Sequence, residues 1–224
     1  MENKFSVGKT IIIFIGGKVI KEYRLKSIKP VYKDKVGELI LEYYKSLISN
    51  NIPVPKLIEY KDLIFVSDHH GKNIIELAGN NIEEFYEHNK PIFYDALKII
   101  KTAKENKLYL DPHIKNFTIY DTKIYYVDIF PPYCQKYLEI LLKSNPDQRK
   151  RIMENYKIFS PKMIPHHFLA DLLSVFNNEE IIKDLAEKMI EMNIIDYLDM
   201  DKVKKIMEID RLRKSPDNDK YDLL

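Results

Sequence analysis

The sequence predicts an α+β protein in which a small, β-rich N-terminal region precedes a larger and mainly helical region. A Gly-Gly turn lies between two apolar, β-branched runs near the start of the chain, and helical periodicity dominates after residue 71. With 224 residues, of which 45% are hydrophobic, the chain is long enough to bury a core. Lys and Arg total 36 against 34 for Asp and Glu, so the net charge of +2 does not indicate a general polyanion binder.

The first predicted element is a β-hairpin with strands at 10–15 and 18–25. Gly16 and Gly17 separate these strands and supply the positive φ angles that a tight two-residue turn needs. Side chains alternate between the two faces of a strand, so Lys21 shares a face with apolar neighbours. An ammonium group is therefore expected on a partly buried surface of this hairpin.

A helix is predicted at 34–50, where apolar residues recur at intervals of three and four. Pro53 prevents its continuation, and two short strands follow at 56–60 and 63–67. A polar break at 68–71 then separates the two regions of the chain.

The second region is predicted as a series of helices interrupted by one strand pair, at 117–120 and 123–127. The helices are predicted at 82–88, 92–106, 133–143, 147–159, 166–176, 179–192 and 201–214. The predicted division of the chain is an N-terminal lobe at 1–70, a C-terminal lobe at 71–214 and a frayed tail at 215–224.

The sequence also predicts a cytoplasmic protein. Its one cysteine, Cys134, excludes an internal disulfide and a cysteine-built zinc site, which suits a reducing compartment. The apolar run at 11–15 is far shorter than the ~20 residues that span a bilayer, and it ends in Gly-Gly rather than a cleavage site. No membrane contact is expected.

The densest chemistry lies in a segment around Asp111. Asn116 follows Asp111 after five residues, and Asp128 lies twelve residues further on, at the end of a predicted strand. This spacing suits a loop that presents one carboxylate to a hydroxyl while the Asn oxygen and the second carboxylate converge on a divalent cation. Taken singly, these residues are typical of an ordinary Asp-Pro turn and a helix cap, but the joint pattern favours the site.

This pattern resembles the catalytic loop of the protein-kinase-like fold, in its aminoglycoside and choline phosphotransferase branch. That branch carries an Asp-x-His-x-x-Asn loop, which residues 111–116 match, including His113, and its metal-binding Asp matches Asp128. The resemblance covers residues 5–135 and implies a bilobal fold, with a β-sheet and one helix in the small lobe and a larger helical lobe.

The resemblance implies ATP and Mg²⁺ as cofactors and assigns further residues. Lys21, after the Gly-Gly turn, matches the phosphate-contacting lysine of the third strand. Glu38 and Glu42 both match its carboxylate partner on the following helix, with Glu38 preferred. The carbonyl of Ser67 and the amide of His69 match the linker groups that pair with adenine.

The chain departs from this family at two places. Gly8, next to Lys9, is the one glycine in the position of the glycine-rich phosphate loop. After Asp128 the sequence reads Ile129-Phe130 and then two prolines, which leave no room for a long activation segment. Control by ordering of such a segment is therefore not expected.

The roles implied by the resemblance follow from charge. Lys21 would neutralise the α- and β-phosphates, Asn116 and Asp128 would hold Mg²⁺, and Asp111 would accept the proton of a substrate hydroxyl. His113 has two interpretations: a brace that hydrogen-bonds main chain, which is favoured, or a contact to metal or substrate.

The predicted function is thus an ATP- and Mg²⁺-dependent phosphotransferase whose acceptor is a hydroxyl of a small molecule or an unusual macromolecule. Two alternatives stay open: a pseudokinase that binds nucleotide or acts as a scaffold without transfer, and an unrelated binding protein with a coincidental motif. The sequence does not name the acceptor.

Two further features have a structural and a functional interpretation. The basic stretch at 211–214 is typical of a solvated helix end, and its alternative is an RNA or protein contact. In size and in this basic end, the chain resembles the small archaeal kinase that works with the tRNA threonylcarbamoyl machinery. The adjacent histidines at 69–70 and 166–167 are predicted to have linker and packing roles rather than to bind metal.

Overall fold

The computed structural model of the protein describes residues 3–7, 10–79 and 81–214. Gly8 and the predicted tail at 215–224 lie outside these ranges. Within them the protein is α+β, as predicted: a five-stranded antiparallel sheet precedes most of the helices, and a three-stranded sheet lies among them in the chain. No helix in the described ranges has the length and apolar character needed to cross a membrane.

The N-terminal sheet consists of β1 (Asn3–Val7), β2 (Thr10–Ile15), β3 (Lys18–Tyr23), β4 (Leu57–Lys61) and β5 (Ile64–Asp68). Its order is β1-β2-β3-β5-β4, and each neighbouring pair is antiparallel. The predicted hairpin of β2 and β3 is present, with φ angles of +57° at Gly16 and +74° at Gly17. β3 ends two residues before its predicted end, and β1 has no counterpart among the predicted elements.

α1 (Lys33–Ser49) packs against this sheet and lies within one residue of the predicted helix. Its buried face carries the apolar residues Val36, Leu39, Ile40, Tyr43 and Leu47. The hydroxyl of Tyr60 in β4 donates to the carbonyl of Gly37 at 3.0 Å, which ties the helix to the sheet. Glu38 and Glu42 lie on the exposed side of the helix.

The C-terminal region begins with β6 (Lys72–Asn73) and α2 (Ile74–Ala78), which the sequence pattern did not predict. Next comes α3 (Ile82–Glu105), where two separate helices were predicted. Its backbone is irregular at Asn89, because Pro91 lacks an N–H and crowds the preceding turn. The predicted break is therefore a kink inside one helix.

The remaining elements agree with their predicted bounds to within two residues. They are β7 (Phe117–Tyr120), β8 (Lys123–Tyr126), α4 (Gln135–Ser144), α5 (Arg149–Lys157), α6 (Ile164–Phe176), α7 (Glu179–Glu191) and α8 (Met200–Lys214). β6, β7 and β8 form the second antiparallel sheet. α6 is the central helix of this region, since it packs against α3, α7 and α8 and is buried along most of its length.

One hydrophobic core continues from α1 into the helical region. The amide of Tyr126 donates to the carbonyl of Pro53 at 2.8 Å, and the hydroxyl of Tyr43 donates to the carbonyl of Tyr109 at 2.9 Å. The ring of Tyr23 in β3 stacks on Phe130 with 4.7 Å between centroids. These contacts fix the N-terminal sheet against the segments that contain Asp111 and Asp128.

The connection between the two sheets is a three-residue segment that ends at Gly71. Gly71 has a φ angle of +74°, and a Cβ atom at this position would lie 1.7 Å from the carbonyl oxygen of Ile119 in β7. Neither the conformation nor the space suits any other residue. The crossing from one region to the other therefore depends on close contact between two backbones.

Replacing Gly71 with Ala is expected to destabilise the protein more than an equivalent change at Gly79. Gly79 also has a positive φ angle, +57°, but nothing lies within 4 Å of a Cβ atom there. Gly79→Ala should cost about 1–2 kcal/mol from backbone strain alone, whereas Gly71→Ala adds a backbone clash and should cost about 3–5 kcal/mol. Urea denaturation measures both free energies of unfolding, and equal values would contradict the close approach.

Candidate functional site

The loop around Asp111 is buried and rigidly held. Asp111 is 8% exposed, His113 1% and Asn116 8%. The chain turns through a single 3₁₀ turn at Ile114–Asn116, in which the amide of Asn116 donates to the carbonyl of His113 at 2.9 Å. β7 begins at the next residue, so this turn places the Asn116 side chain at the start of the hairpin that leads to Asp128.

Hydrogen bonds from within its own loop fix the orientation of the Asp111 carboxylate. Its Oδ1 accepts a bond from the backbone amide of His113 at 3.1 Å and makes a short contact with Nδ1 of the same residue. The amide of Asp111 donates to the hydroxyl of Tyr126 in β8 at 3.2 Å. Both the main chain and the side chain of Asp111 are thus held in one position.

Asn116 and Asp128 lie side by side, with the amide nitrogen of Asn116 facing the Asp128 carboxylate. Nδ2 of Asn116 lies 3.4 Å from Oδ2 of Asp128 and 3.3 Å from the carbonyl of Asp111. The two side chains therefore lie in contact beside the Asp111 loop. Carboxylate and amide oxygens are the ligands that Mg²⁺ and Ca²⁺ prefer.

The backbone of Val127 connects this cluster to the N-terminal sheet. Its N–H donates to the carbonyl of Asn116 at 2.9 Å, and its carbonyl accepts a bond from Nζ of Lys21 at 2.5 Å. Lys21 thus reaches from β3 across to the residue before Asp128. The ammonium group and the three oxygen-bearing side chains lie in one region of the molecule.

Burial and charge shift the pKa values of this cluster. Burial raises the pKa of Asp128 to about 7, and repulsion from Asp111 adds to this, while Lys21 and Lys115 act in the opposite direction. Burial lowers the pKa of Lys21, and attraction to Asp128 partly offsets it. The charged form of Asp128 is therefore disfavoured, and a bound cation would favour it.

The predicted ion pair between Lys21 and Glu38 is not formed. The Glu38 carboxylate lies 2.5 Å from Nζ of Lys35, and the alternative, Glu42, lies 3.3 Å from Lys136. Both glutamates are exposed because they lie opposite the apolar stripe of α1. The inner face of the helix presents Tyr43 to this region instead, and the partner of Lys21 is the Val127 carbonyl.

Of the two groups predicted to pair with adenine, the structure engages the His69 amide elsewhere. Ser67 is 2% exposed and is paired across the sheet with Val19 on one side and Leu57 on the other. The amide of His69 donates to the carbonyl of Gly17 at 3.0 Å, so this donor is already used within the sheet. The assignment to Gly8 falls outside the described residues.

The ring of His113 lies among carboxylates rather than against main-chain groups, which was its favoured predicted role. Its Nε2 lies 3.0 Å from Oδ2 of Asp210 in α8 and 3.7 Å from Oδ1 of Asp171 in α6. Oδ2 of Asp171 also accepts the amide of Ile114 at 2.7 Å. Burial alone lowers the pKa of His113, but the nearby carboxylates outweigh it and raise the pKa to about 9.

Asp171 and Asp210 belong to the site but were not found from the sequence. A signal existed for Asp171, since it is a charged residue within the apolar run of α6. Asp210 carries no such signal, because charged residues are frequent throughout α8. The adjacent histidines of α6 point apart, as predicted: the ring of His167 packs against His113, whereas His166 lies 3.5 Å from Lys202.

Comparisons with known proteins add little to this geometry. No protein-family model matches the chain, and no curated protein matches it. Among solved structures, the chain is similar to a choline/ethanolamine kinase family protein from Mesorhizobium loti, with 10% identity and a TM-score of 0.31. The match covers 100% of this chain and 91% of the other, and a similarity of this strength carries no argument about function.

The His113 cluster predicts a pH dependence of stability. Because the pKa of His113 rises from 6.5 to about 9 on folding, its contribution is fully present below pH 6.5 and is lost as the pH rises through 9. A shift of this size corresponds to about 3 kcal/mol. Urea denaturation at pH 6 and pH 9.5 should show a larger loss of stability in wild type than in His113→Gln. The same loss in both proteins would contradict the assigned environment.

Proposed function

We propose that the protein is a phosphotransferase that moves the γ-phosphate of ATP to a hydroxyl group with the help of Mg²⁺, on a bilobal kinase-like fold. The observation that carries the proposal is a set of contacts beside Asp128: Lys21 and Asn116 both bind the backbone of Val127, and the Asn116 side chain contacts both Asp128 and the carbonyl of Asp111. These are an ammonium, a buried carboxylate and a pair of oxygen ligands, which are the groups that phosphoryl transfer requires.

The charge balance of the cluster supports a metal site at Asn116 and Asp128. Asp128 has a pKa raised to about 7, with repulsion from Asp111 among the causes. A divalent cation would favour the charged form of Asp128, and the oxygens of Asp128 and Asn116 are hard ligands of the kind that Mg²⁺ prefers. When bound, the cation would supply charge neutralisation for the phosphate groups.

Lys21 and Asp111 have separate tasks in this proposal. Lys21 is partly buried, and its ammonium now donates to a backbone carbonyl, so a phosphate oxygen would offer it a stronger, charge-assisted partner. Asp111 is held through Oδ1 by His113, which fixes the plane of its carboxylate. A carboxylate fixed in this way can orient a substrate hydroxyl and accept its proton as the new phosphate ester forms.

A pseudokinase is the second candidate, and one specific observation favours it. Nζ of Lys21 is 2.5 Å from the Val127 carbonyl, while Glu38 and Glu42 pair with other lysines. A lysine without a carboxylate to orient it is less well placed for catalysis. In that case the site would bind nucleotide and transfer nothing.

An RNA or protein contact through the basic end of α8 receives less support. Arg211 pairs with Glu208 on the same helix at 3.0 Å, and Lys204 pairs with Glu179 at 2.7 Å. These ion pairs are typical of a solvated helix surface. Water can replace the substrate hydroxyl as the phosphate acceptor, so hydrolysis of MgATP measures the activity.

Asp128→Asn is expected to weaken MgATP binding at least about tenfold, because the variant loses a charged ligand of the cation. Asp121→Asn is the matched control, since Asp121 lies in the exposed turn between β7 and β8. Isothermal titration calorimetry with MgATP gives both dissociation constants. Unchanged binding in Asp128→Asn would remove Asp128 from the site, and an absence of binding in wild type would refute the proposed function.

Asp111→Asn is expected to slow MgATP turnover by about 10²- to 10⁴-fold, the range typical of general acid–base groups. The dissociation constant of MgATP should change little, because Asp111 acts on the acceptor rather than on the nucleotide. ADP release in a coupled assay measures the rate. Equal rates in wild type and variant would indicate a contaminating activity and would favour the pseudokinase.

A further inference from the structure

We propose that Asp210, near the C-terminal end of α8, is a positioning residue for phosphoryl transfer: it holds the His113 ring, which in turn holds the Asp111 carboxylate. This inference rests on the proposed function, since it concerns the group that receives the proton. It assigns the terminal helix a direct part in the organisation of the catalytic loop, 97 residues away along the chain.

Three buried side chains, those of Asp111, His113 and Asp210, lie in a row. Oδ1 of Asp111 contacts Nδ1 of His113, and Nε2 on the opposite side of the ring lies 3.0 Å from Oδ2 of Asp210. All three are buried, with Asp210 6% and His113 1% exposed. Water therefore competes poorly for these bonds, and each bond restricts the next.

The position of Asp210 in its helix explains how it reaches the loop. Val203 and Ile206 form the buried face of α8, which packs against α6. Asp210 lies four residues after Ile206, so it continues the same face by one turn. A buried carboxylate costs free energy unless it is paired, and the nitrogen of His113 is such a partner.

Asp171 and Asp210 make different contacts with the loop. Oδ2 of Asp171 accepts the Ile114 amide at 2.7 Å, so it holds the backbone of the loop, whereas its Oδ1 lies 3.7 Å from the His113 ring. The shorter ring contact belongs to Asp210. Loss of Asp210 should leave the loop backbone in place and release the ring.

If the His113 ring is no longer held by Asp210, we expect the rate of phosphoryl transfer to fall while nucleotide binding stays the same. Without Asp210, His113 could turn away from Asp111, and the carboxylate would lose the bond that fixes its plane. Misplacement of a catalytic group by about 1 Å can cost about 10²-fold in rate. The groups proposed to hold the nucleotide and the cation have their own contacts: Lys21 donates to the Val127 carbonyl, and Asn116 contacts Asp128.

The first test compares Asp210→Asn and Asp210→Glu with the control Glu208→Gln, whose side chain is exposed on the same helix. MgATP hydrolysis gives kcat and KM for each protein. We expect kcat to fall by about 10- to 100-fold in Asp210→Asn, with KM for ATP within twofold of wild type. Asp210→Glu should recover part of the rate, and Glu208→Gln should match wild type.

A double-mutant cycle with His113→Gln tests whether Asp210 acts through the ring. In the His113→Gln background, Asp210→Asn should change kcat by less than twofold. A full additional loss in that background would overturn the proposal, as would an unchanged kcat in Asp210→Asn. Loss of the folded circular dichroism spectrum in both Asp210 variants would indicate a purely structural role and would also overturn it.

A spectroscopic readout separates this inference from the proposed function. In ¹⁵N-labelled protein, the Nε2–H signal of His113, assigned by its loss in His113→Gln, should shift in Asp210→Asn and stay in place in Glu208→Gln. An unshifted signal refutes the contact itself. Absence of MgATP hydrolysis in wild type refutes the proposed function instead, whatever the position of that signal.

Discussion

The backbone hydrogen bonds of Val127 hold the candidate site together. The carbonyl accepts the ammonium of Lys21 from the N-terminal sheet, and the N–H donates to the carbonyl of Asn116 in the loop. A bond from a charged donor is worth more than a neutral one, and the position is partly buried. The two peptide groups on either side of the Val127 Cα therefore set how the Lys21 ammonium faces Asp128, the next residue in the chain.

The two carboxylates of the candidate site lie in different electrostatic environments. Asp111 has its charge opposed by the His113 ring, whereas Asp128 has a pKa raised to about 7 by burial and repulsion. Pairs of titratable groups in such different environments are typical of functional sites. In the proposed function, Asp111 is held for proton transfer, whereas Asp128 is suited to bind a cation.

Local features of the fold could be predicted, and features that depend on tertiary packing could not. The β2–β3 hairpin and α1 follow from a glycine pair and an apolar stripe, which act over a few residues. The partner of Lys21 depends on how α1 rotates against the sheet, and that rotation places Glu38 outside. The contact between His113 and Asp210 joins positions 97 residues apart, beyond the reach of any spacing rule.

The proposed function requires a cation and a nucleotide to meet at Asn116. The most direct measurement is the paramagnetic effect of Mn²⁺ on the side-chain amide signal of Asn116 in ¹⁵N-labelled protein with ATP. The side chain of Asn145, which donates to the Ser27 carbonyl between α4 and the N-terminal region, serves as the reference signal. If the cation and the nucleotide both bind at Asn116, the Asn116 signal should broaden strongly in the presence of ATP while the Asn145 signal persists. Equal broadening of both signals, or none, would contradict the proposed function.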